Sequence, residues 1–318
     1  GMVLEPTRGD QKDKIIKALD DLYASGSTAG GEGIILAYKV AKDNFIKGGN
    51  NRVILATDGD FNVGVASDAE LERLIEEKRN DGIFLTVLGF GMGNYKDSKM
   101  EKLADKGNGN YAYIDNILEA KKVLVTEIGG TLLTIAKDVK IQVEFNPTKV
   151  KAYRLIGYEN RLMRDEDFND DKKDAGELGA GHTVTALYEI IPADSDEEVP
   201  NIDPLKYQQT KVNTDASNTD EILTVKFRYK QPDGDVSKLI EKPLMDNLIA
   251  WENTSNNFKF SAAVAGFGML LRDSEYKGDI TYNDILKIAN SSKGEDKEGY
   301  RSEFITLVEK AKLLAGKS

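Results

Sequence analysis

The amino-acid sequence predicts an α/β fold with a doubly wound, mostly parallel sheet, followed by an antiparallel β-sandwich-like module and a helical C-terminal segment. Arg52–Thr57 and Ile83–Leu88 are short apolar runs of the kind found in strands buried on both faces of a sheet, and Tyr111–Ile114 is a third short strand. Segments with helical spacing alternate with these strands, a pattern typical of βαβ units and parallel sheets.

The helices of this first part are predicted from apolar residues spaced three and four apart. They cover Gln11–Ala24, Ile34–Ala41, Ser67–Arg79, Lys96–Lys106 and a long final helix over Ile117–Ala136. Ser67 is a plausible N-cap residue, and Glu70 three positions later completes the pattern of a capping box.

The pattern changes near Asp138, where apolar and polar residues begin to alternate. Such strands have one face in water, so Val139–Phe145, Thr183–Ile190 and Glu221–Lys230 indicate an antiparallel module. From Asn256 onward the chain is helical again, and Phe258–Leu271 has almost no polar face, which predicts a buried helix. We therefore expect an α/β domain at 1–137, a β-rich domain at 138–250 and a helical region at 251–318.

Composition excludes several classes of function. The 318 residues carry a formal net charge of -11, which argues against binding to nucleic acid or to an anionic membrane. The absence of cysteine excludes disulfides and thiolate zinc sites, and a single histidine, His182, disfavours His-dependent chemistry. The longest uncharged apolar stretch, Phe260–Leu271, is too short to span a bilayer.

Two segments have residues suited to a binding site. One is the small-residue loop Gly26–Gly31, and the other is Thr57–Asn62, directly after a buried strand. Ligands of open parallel sheets bind just beyond the carboxyl ends of the strands, where Asp58 lies. A carboxylate and the Thr28 hydroxyl at that edge suit a hard divalent cation. The alternative, left open by these residues alone, is that Asp58 is a turn residue and Thr28 a helix N-cap.

The amino-acid sequences of these segments are similar to motifs of a known protein family. Gly-Ser-Thr-Ala-Gly-Gly at 26–31, Leu-Ala-Thr-Asp-Gly-Asp-Phe-Asn-Val-Gly at 55–64 and Val-Leu-Gly-Phe-Gly at 87–91 resemble the later motifs of von Willebrand factor type A (VWA) domains. The chain as a whole resembles bacterial VWA proteins of the YfbK type, with their C-terminal region. That wider resemblance rests on Tyr153–Asn160, Gly181–Glu189 and Phe267–Tyr276.

The resemblance implies a metal-ion-dependent adhesion site (MIDAS) made from an Asp-x-Ser-x-Ser loop, a later Thr and a later Asp. Thr28 and Asp58 match the latter two, and Ser27, Asp60, Gly89 and Gly91 match the rim of the metal face. The serine loop has no counterpart in the sequence. The expected fold is therefore an incomplete doubly wound (VWA/Rossmann-like) sheet that lacks the N-terminal part of the VWA domain.

Two expectations follow for the cofactor and the sheet edge. The resemblance implies Mg²⁺, or Mn²⁺ or Ca²⁺, in the complete domain. Thr28 and Asp58 provide only one charged ligand, so this chain alone is expected to bind a metal weakly or not at all.

Without the first strands, the strand Arg52–Thr57 would have an open edge, and open edges recruit partners. We predict that this edge pairs with another segment or chain, including a second copy.

The resulting hypothesis is a non-enzymatic, adhesion-type module in which the metal face accepts a carboxylate of a protein partner. One alternative is a Mg²⁺-assisted hydrolase that uses Asp58 and Asp60, and another is a metal-free structural scaffold of the cell envelope. The expected location is the bacterial cell envelope or periplasm, with a lipoprotein as the parent protein, and the cytoplasm is the alternative.

Two other patterns point to ligands but fit poorly. Gly89-Phe-Gly91-Met-Gly93 follows a strand, yet Lys96 stands where the third glycine of a dinucleotide-binding loop belongs. Asp165–Asp171 resembles a calcium loop, but the sixth and twelfth positions hold Asp170 and Gly176 instead of the required Gly and Glu. This segment is predicted to be a solvated acidic loop.

Overall fold

A computed structural model of the chain describes residues 1–23, 30–58, 67–91, 97–132, 134–158, 162–173, 175–199 and 213–316. The chain divides into two compact units. The first unit contains residues 1–141, 166–182 and 227–240, and the second unit contains residues 142–165, 183–226 and 241–318. No helix within the described residues is long and apolar enough to cross a membrane.

Three parallel strands form the sheet of the first unit, in the order β1-β2-β3: β1 (Asn51–Thr57), β2 (Ile83–Phe90) and β3 (Tyr111–Ile114). The helices before and between them are α1 (Lys12–Asp20), α2 (Gly30–Asp43), α3 (Asp68–Asn80) and α4 (Asp97–Lys106). The capping box predicted at the start of α3 is confirmed, since the Ser67 hydroxyl accepts from the Glu70 N–H and Glu70 accepts from the Ser67 N–H. The predicted parallel α/β fold is likewise confirmed.

Strand β2 is buried on both faces of the sheet. Ile83, Leu85 and Val87 are fully covered on one face. The side chains that cover them come from α2, α3 and α4: Ile34, Tyr38, Leu71, Ile75, Met100, Leu103 and Ala104. Leu88, which the alternation of a strand directs to the opposite face, packs with Ile114 and Val123. This strand therefore needs a helical layer on each side.

Strand β1 is less buried than its apolar sequence predicts. Val53 and Leu55 pack against the core, whereas Ile54 remains 47% exposed. Among the described residues β2 is the only strand hydrogen-bonded to β1, so one long edge of β1 has no strand beside it. Pairing of this edge with another segment or a second copy stays a prediction.

The helix predicted over Ile117–Ala136 is shorter and interrupted. It consists of α5 (Ile117–Lys121), a π-helix (Lys122–Thr126) and α6 (Ile128–Leu132). β-branched residues in the π-helix and the pair Gly129–Gly130 have low helix propensity, which accounts for the break. Strand β4 (Thr134–Phe145) then begins, so the predicted domain boundary between residues 137 and 138 falls inside a strand.

The remaining strands form two sheets. One has the order β6-β4-β8-β9, with β6 (Gly176–Gly179), β8 (Glu221–Lys230) and β9 (Lys238–Met245), and the other contains β5 (Val150–Ile156) and β7 (Leu187–Pro192). β4 pairs antiparallel with β6, and β5 pairs antiparallel with β7. The antiparallel pairing confirms this part of the predicted fold class.

The acidic loop near residues 167–171 is held by cations of the same chain. Lys140 on β4 is 3% exposed, and its ammonium group donates to the carbonyl oxygens of Asp167 and Asp170. Lys230 on β8 bonds Asp138 and the carbonyl of Asp171. The loop is thus more than a solvated acidic segment, because these lysines occupy oxygens that a calcium ion would need.

Three helices of the second unit pack together: α7 (Asn256–Leu271), α8 (Tyr282–Ser292) and α9 (Tyr300–Ala315). Their core includes Phe260 and Phe267 from α7, Ile285 from α8 and Val308 from α9. The prediction that α7 is buried all round is wrong, because Phe258, Val264 and Leu271 remain exposed. Two neighbouring helices cover only one side of a third.

We expect replacement of Lys140 by Met to lower the free energy of unfolding by about 1–3 kcal/mol, because the carbonyl oxygens of Asp167 and Asp170 lose the donor that the buried ammonium group provides. Lys137→Met on the same strand is the matched control, since Lys137 pairs with the fully exposed Asp235 at 3.9 Å. Its effect should stay below about 1 kcal/mol. Urea unfolding measures both, and equal effects would contradict the assignment of Lys140 as the loop's buried anchor.

The loop also makes stability depend on pH. A hydrogen bond from the Ser237 hydroxyl, helped by Arg228, holds the pKa of Asp171 below its usual value. A lowered pKa stabilises the fold above the unfolded-state value of about 4, and that contribution disappears as the pH falls through the folded-state pKa. Ser237→Ala should therefore lower the urea midpoint at neutral pH and have a smaller effect in acid. In an Asp171→Asn background the effect of Ser237→Ala should no longer change with pH.

Candidate functional site

The carboxyl ends of the three parallel strands meet at one edge of the sheet. In the strand register, Thr57 lies opposite Gly89, and Gly89 lies opposite Tyr113. Asp58 directly follows β1 and is exposed, and Gly91 directly follows β2. The fold thus brings together two residues that belong to separate sequence motifs. This edge is where ligands of open parallel sheets bind.

Gly91 lies directly beside Asp58. Its φ angle of +91° is in the region that favours glycine over residues with a side chain. A Cβ atom built on Gly91 would lie 3.7 Å from the Cβ atom of Asp58. A Cβ atom at this position would thus be in van der Waals contact with the aspartate. Glycine is needed here for its backbone conformation, and it also leaves one side of Asp58 uncovered.

Two tyrosines of β3 bond to the polypeptide around this edge. The hydroxyl of Tyr113 donates to the carbonyl oxygen of Gly91. The hydroxyl of Tyr111 donates to the carboxylate of Asp97, the first residue of α4. The sequence reasoning did not select either residue. The sequence feature that could have indicated these two tyrosines is the spacing Tyr-x-Tyr on a short strand, because residues two apart in a strand lie on the same face of the sheet.

The predicted site residues have different outcomes. Asp58 and Gly91 are neighbours at the edge. Gly89 is buried within β2, opposite Thr57, and its place at the rim of a metal face stays a prediction. Thr28, together with the predicted rim residues Ser27 and Asp60, lies outside the described residues, so their predicted roles stay predictions.

The donor set at this edge fits a hard divalent cation in kind but not in number. Asp58 offers carboxylate oxygens, the ligands that Mg²⁺, Mn²⁺ and Ca²⁺ prefer. However, no group of three or more His, Cys, Asp or Glu side chains is placed to hold a metal ion in the part of the chain that the structure describes. A cation bound at Asp58 therefore needs further ligands from Thr28, from water or from another molecule.

Comparison with known sequences defines the class of protein. The family model of the von Willebrand factor type A domain matches residues 3–125, which include the parallel sheet and the edge with Asp58. The first unit thus contains a VWA-type α/β domain.

The family follows from the rest of the chain. The model described as "Uncharacterized protein YfbK, C-terminal" matches residues 130–314, which is more than half of the chain. The curated relative "Uncharacterized protein YfbK" of Escherichia coli (strain K12) is 44% identical over 310 residues, or 98% of this chain. The chain therefore belongs to the YfbK family of VWA proteins. It spans 53% of the length of that relative.

Two solved structures that match parts of the chain share little sequence identity with it. A von Willebrand factor type A protein from Catenulispora acidiphila has a TM-score of 0.41 and 15% identity, over 95% of this chain and 67% of that one. The conserved hypothetical protein BatB from Bacteroides thetaiotaomicron has a TM-score of 0.31 and 23% identity, over 36% of this chain and 68% of that one.

We expect Gly91→Ala to destabilise the protein by about 1–2 kcal/mol, because a side chain is strained at positive φ. Gly33→Ala is the matched control, since Gly33 lies in α2 with no heavy atom within 4 Å of a Cβ built on it. Alanine should stabilise that helix position by about 0.5–1 kcal/mol. Opposite signs in urea unfolding support the assigned conformation of Gly91, and stabilisation by both variants would contradict it.

Proposed function

We propose that this chain is a non-enzymatic protein-binding module whose binding face is the carboxyl edge of the parallel sheet. Asp58 and Thr28 would hold a divalent cation, Mg²⁺ or alternatively Mn²⁺ or Ca²⁺, and a carboxylate of the partner protein would complete its coordination. The observation that supports this most is the position of Asp58, an exposed carboxylate at the strand ends beside the side-chain-free Gly91.

A cation explains how an acidic chain can accept an acidic group. The formal net charge of the chain is -11, and Asp58 itself would repel a partner's carboxylate. Two carboxylates about 4 Å apart repel each other by about 1 kcal/mol even in bulk water. A divalent cation between them turns this repulsion into attraction. The incomplete ligand set at Asp58 is consistent with this role, because a partner can bind only where a coordination position is open.

The hydrolase that would use Asp58 and Asp60 is the weaker alternative. Hydrolysis with two metal ions requires further carboxylates that hold a second metal about 3.5–4 Å from the first one. No such cluster accompanies Asp58 within the described residues. The names of the matched families also contain no enzymatic activity. These observations favour binding over catalysis.

We expect Mn²⁺ to broaden the amide resonances around Asp58 and Gly91 in NMR spectra of the chain, with an affinity in the weak range that one charged ligand allows. Asp58→Asn should weaken this binding by about tenfold or more, the factor that corresponds to a loss of about 1.4 kcal/mol. Asp81→Asn is the matched control, because Asp81 precedes β2 at the opposite end of the strands and pairs with Lys42.

Equal Mn²⁺ affinity in the Asp58→Asn and Asp81→Asn variants would falsify the assignment of Asp58. A second measurement separates binding from catalysis. Turnover of p-nitrophenyl phosphate with Mg²⁺ that is lost in Asp58→Asn and kept in Asp81→Asn would support the hydrolase instead.

A further inference from the structure

We propose that Tyr113 is a positioning residue of this binding edge, which acts through the backbone of Gly91 on the surroundings of Asp58. This inference rests on the proposed function, since it concerns the same edge. It starts from the hydrogen bond that the Tyr113 hydroxyl donates to the Gly91 carbonyl oxygen.

The strand register explains why a tyrosine reaches Gly91. Tyr113 lies opposite Gly89 on the neighbouring strand, and Gly91 is two residues further along. At about 3.3 Å per residue Gly91 lies about 6.6 Å further along a strand that is itself about 4.8 Å away, and only a long side chain such as tyrosine covers that separation. Phenylalanine at position 113 would place the same ring beside β2, but it would leave the Gly91 carbonyl without this donor.

The hydrogen bond to the Gly91 carbonyl matters because glycine has the most flexible backbone of all residues, and a hydrogen bond restricts that flexibility. Glycine loses more conformational freedom on folding than any other residue, and Gly91 is held at a φ of +91° just after the ladder of β2 ends. The hydrogen bond from Tyr113 fixes the peptide group that follows this φ angle. Without it, this peptide group loses one of the contacts that hold its orientation.

A change in the backbone conformation of Gly91 would alter the surroundings of the Asp58 side chain. A Cβ atom built on Gly91 would lie within van der Waals contact of the Asp58 Cβ atom, so the backbone of Gly91 forms one wall beside the aspartate. The geometry of that wall determines how closely a hydrated cation or a partner's carboxylate can approach. Tyr113 thereby influences the ligand without touching it.

Tyr111 provides a matched control on the same strand. Both tyrosines lie on one face of β3, and each donates its hydroxyl to a group near the β2–α4 connection. Tyr111 bonds Asp97 at the start of α4, whereas Tyr113 bonds Gly91 at the end of β2. Removal of either hydroxyl costs one O–H···O hydrogen bond, and the bond to the Asp97 carboxylate is the stronger because it is charge-assisted. Only the weaker bond, to Gly91, lies beside Asp58.

The first arm of the test needs no cation. Amide resonances and hydrogen exchange of Asp58 and Gly91 are compared in the unaltered chain, in Tyr113→Phe and in Tyr111→Phe. We expect Tyr113→Phe to shift both resonances and to speed their exchange, and Tyr111→Phe to leave them unchanged. Unchanged Asp58 and Gly91 signals in Tyr113→Phe would overturn the positioning role.

The second arm measures Mn²⁺ affinity well below the unfolding temperature of all three proteins, where a merely structural loss of stability leaves affinity unchanged. Tyr113→Phe should weaken binding by about three- to tenfold, the range expected for the loss of one hydrogen bond, and Tyr111→Phe by less than about twofold. Normal affinity in Tyr113→Phe overturns the positioning role alone. If the unaltered chain does not bind Mn²⁺, the proposed function fails, and the first arm decides the role of Tyr113.

Discussion

Strand β2 has to be covered on both faces, because Ile83, Leu85 and Val87 point to one side and Leu88 points to the other. Only helices packed on each face of a parallel sheet satisfy this requirement in the first unit. Parallel strands then end at the same edge. The burial of one strand thus determines where Asp58 emerges, and it separates that edge from the opposite one, where Asp81 lies.

At the strand ends, backbone conformation and side-chain chemistry depend on each other. Gly91 provides a positive φ angle and leaves Asp58 uncovered on one side, at the cost of a flexible backbone. The Tyr113 hydroxyl offsets that flexibility by holding the Gly91 carbonyl. Under the proposed function, an edge built in this way would be exposed to a partner and ordered before the partner arrives, which would lower the entropic cost of binding.

The acidic loop near residues 167–171 shows why a cluster of aspartates is not by itself a cation site. Lys140 and Lys230 reach its oxygens from two neighbouring strands, and Arg228 bonds Asp171. The chain's own cations thus occupy the positions that a metal would take. Asp58 belongs to a different place, exposed at the carboxyl ends of the parallel strands.

The sequence by itself determined the elements that depend on local pattern. Apolar runs located β1, β2 and β3, the Ser67 capping box located the start of α3, and the position of Asp58 after an apolar strand pointed to the carboxyl edge. Tertiary structure alone decided the features that depend on distant residues. The partner of the Tyr113 hydroxyl, the burial of Lys140 and the exposed side of α7 follow from which elements pack together, and strand and helix patterns carry no information about that. Asp58 was visible in the sequence, whereas its contact with Gly91 became visible only when two strands lay side by side.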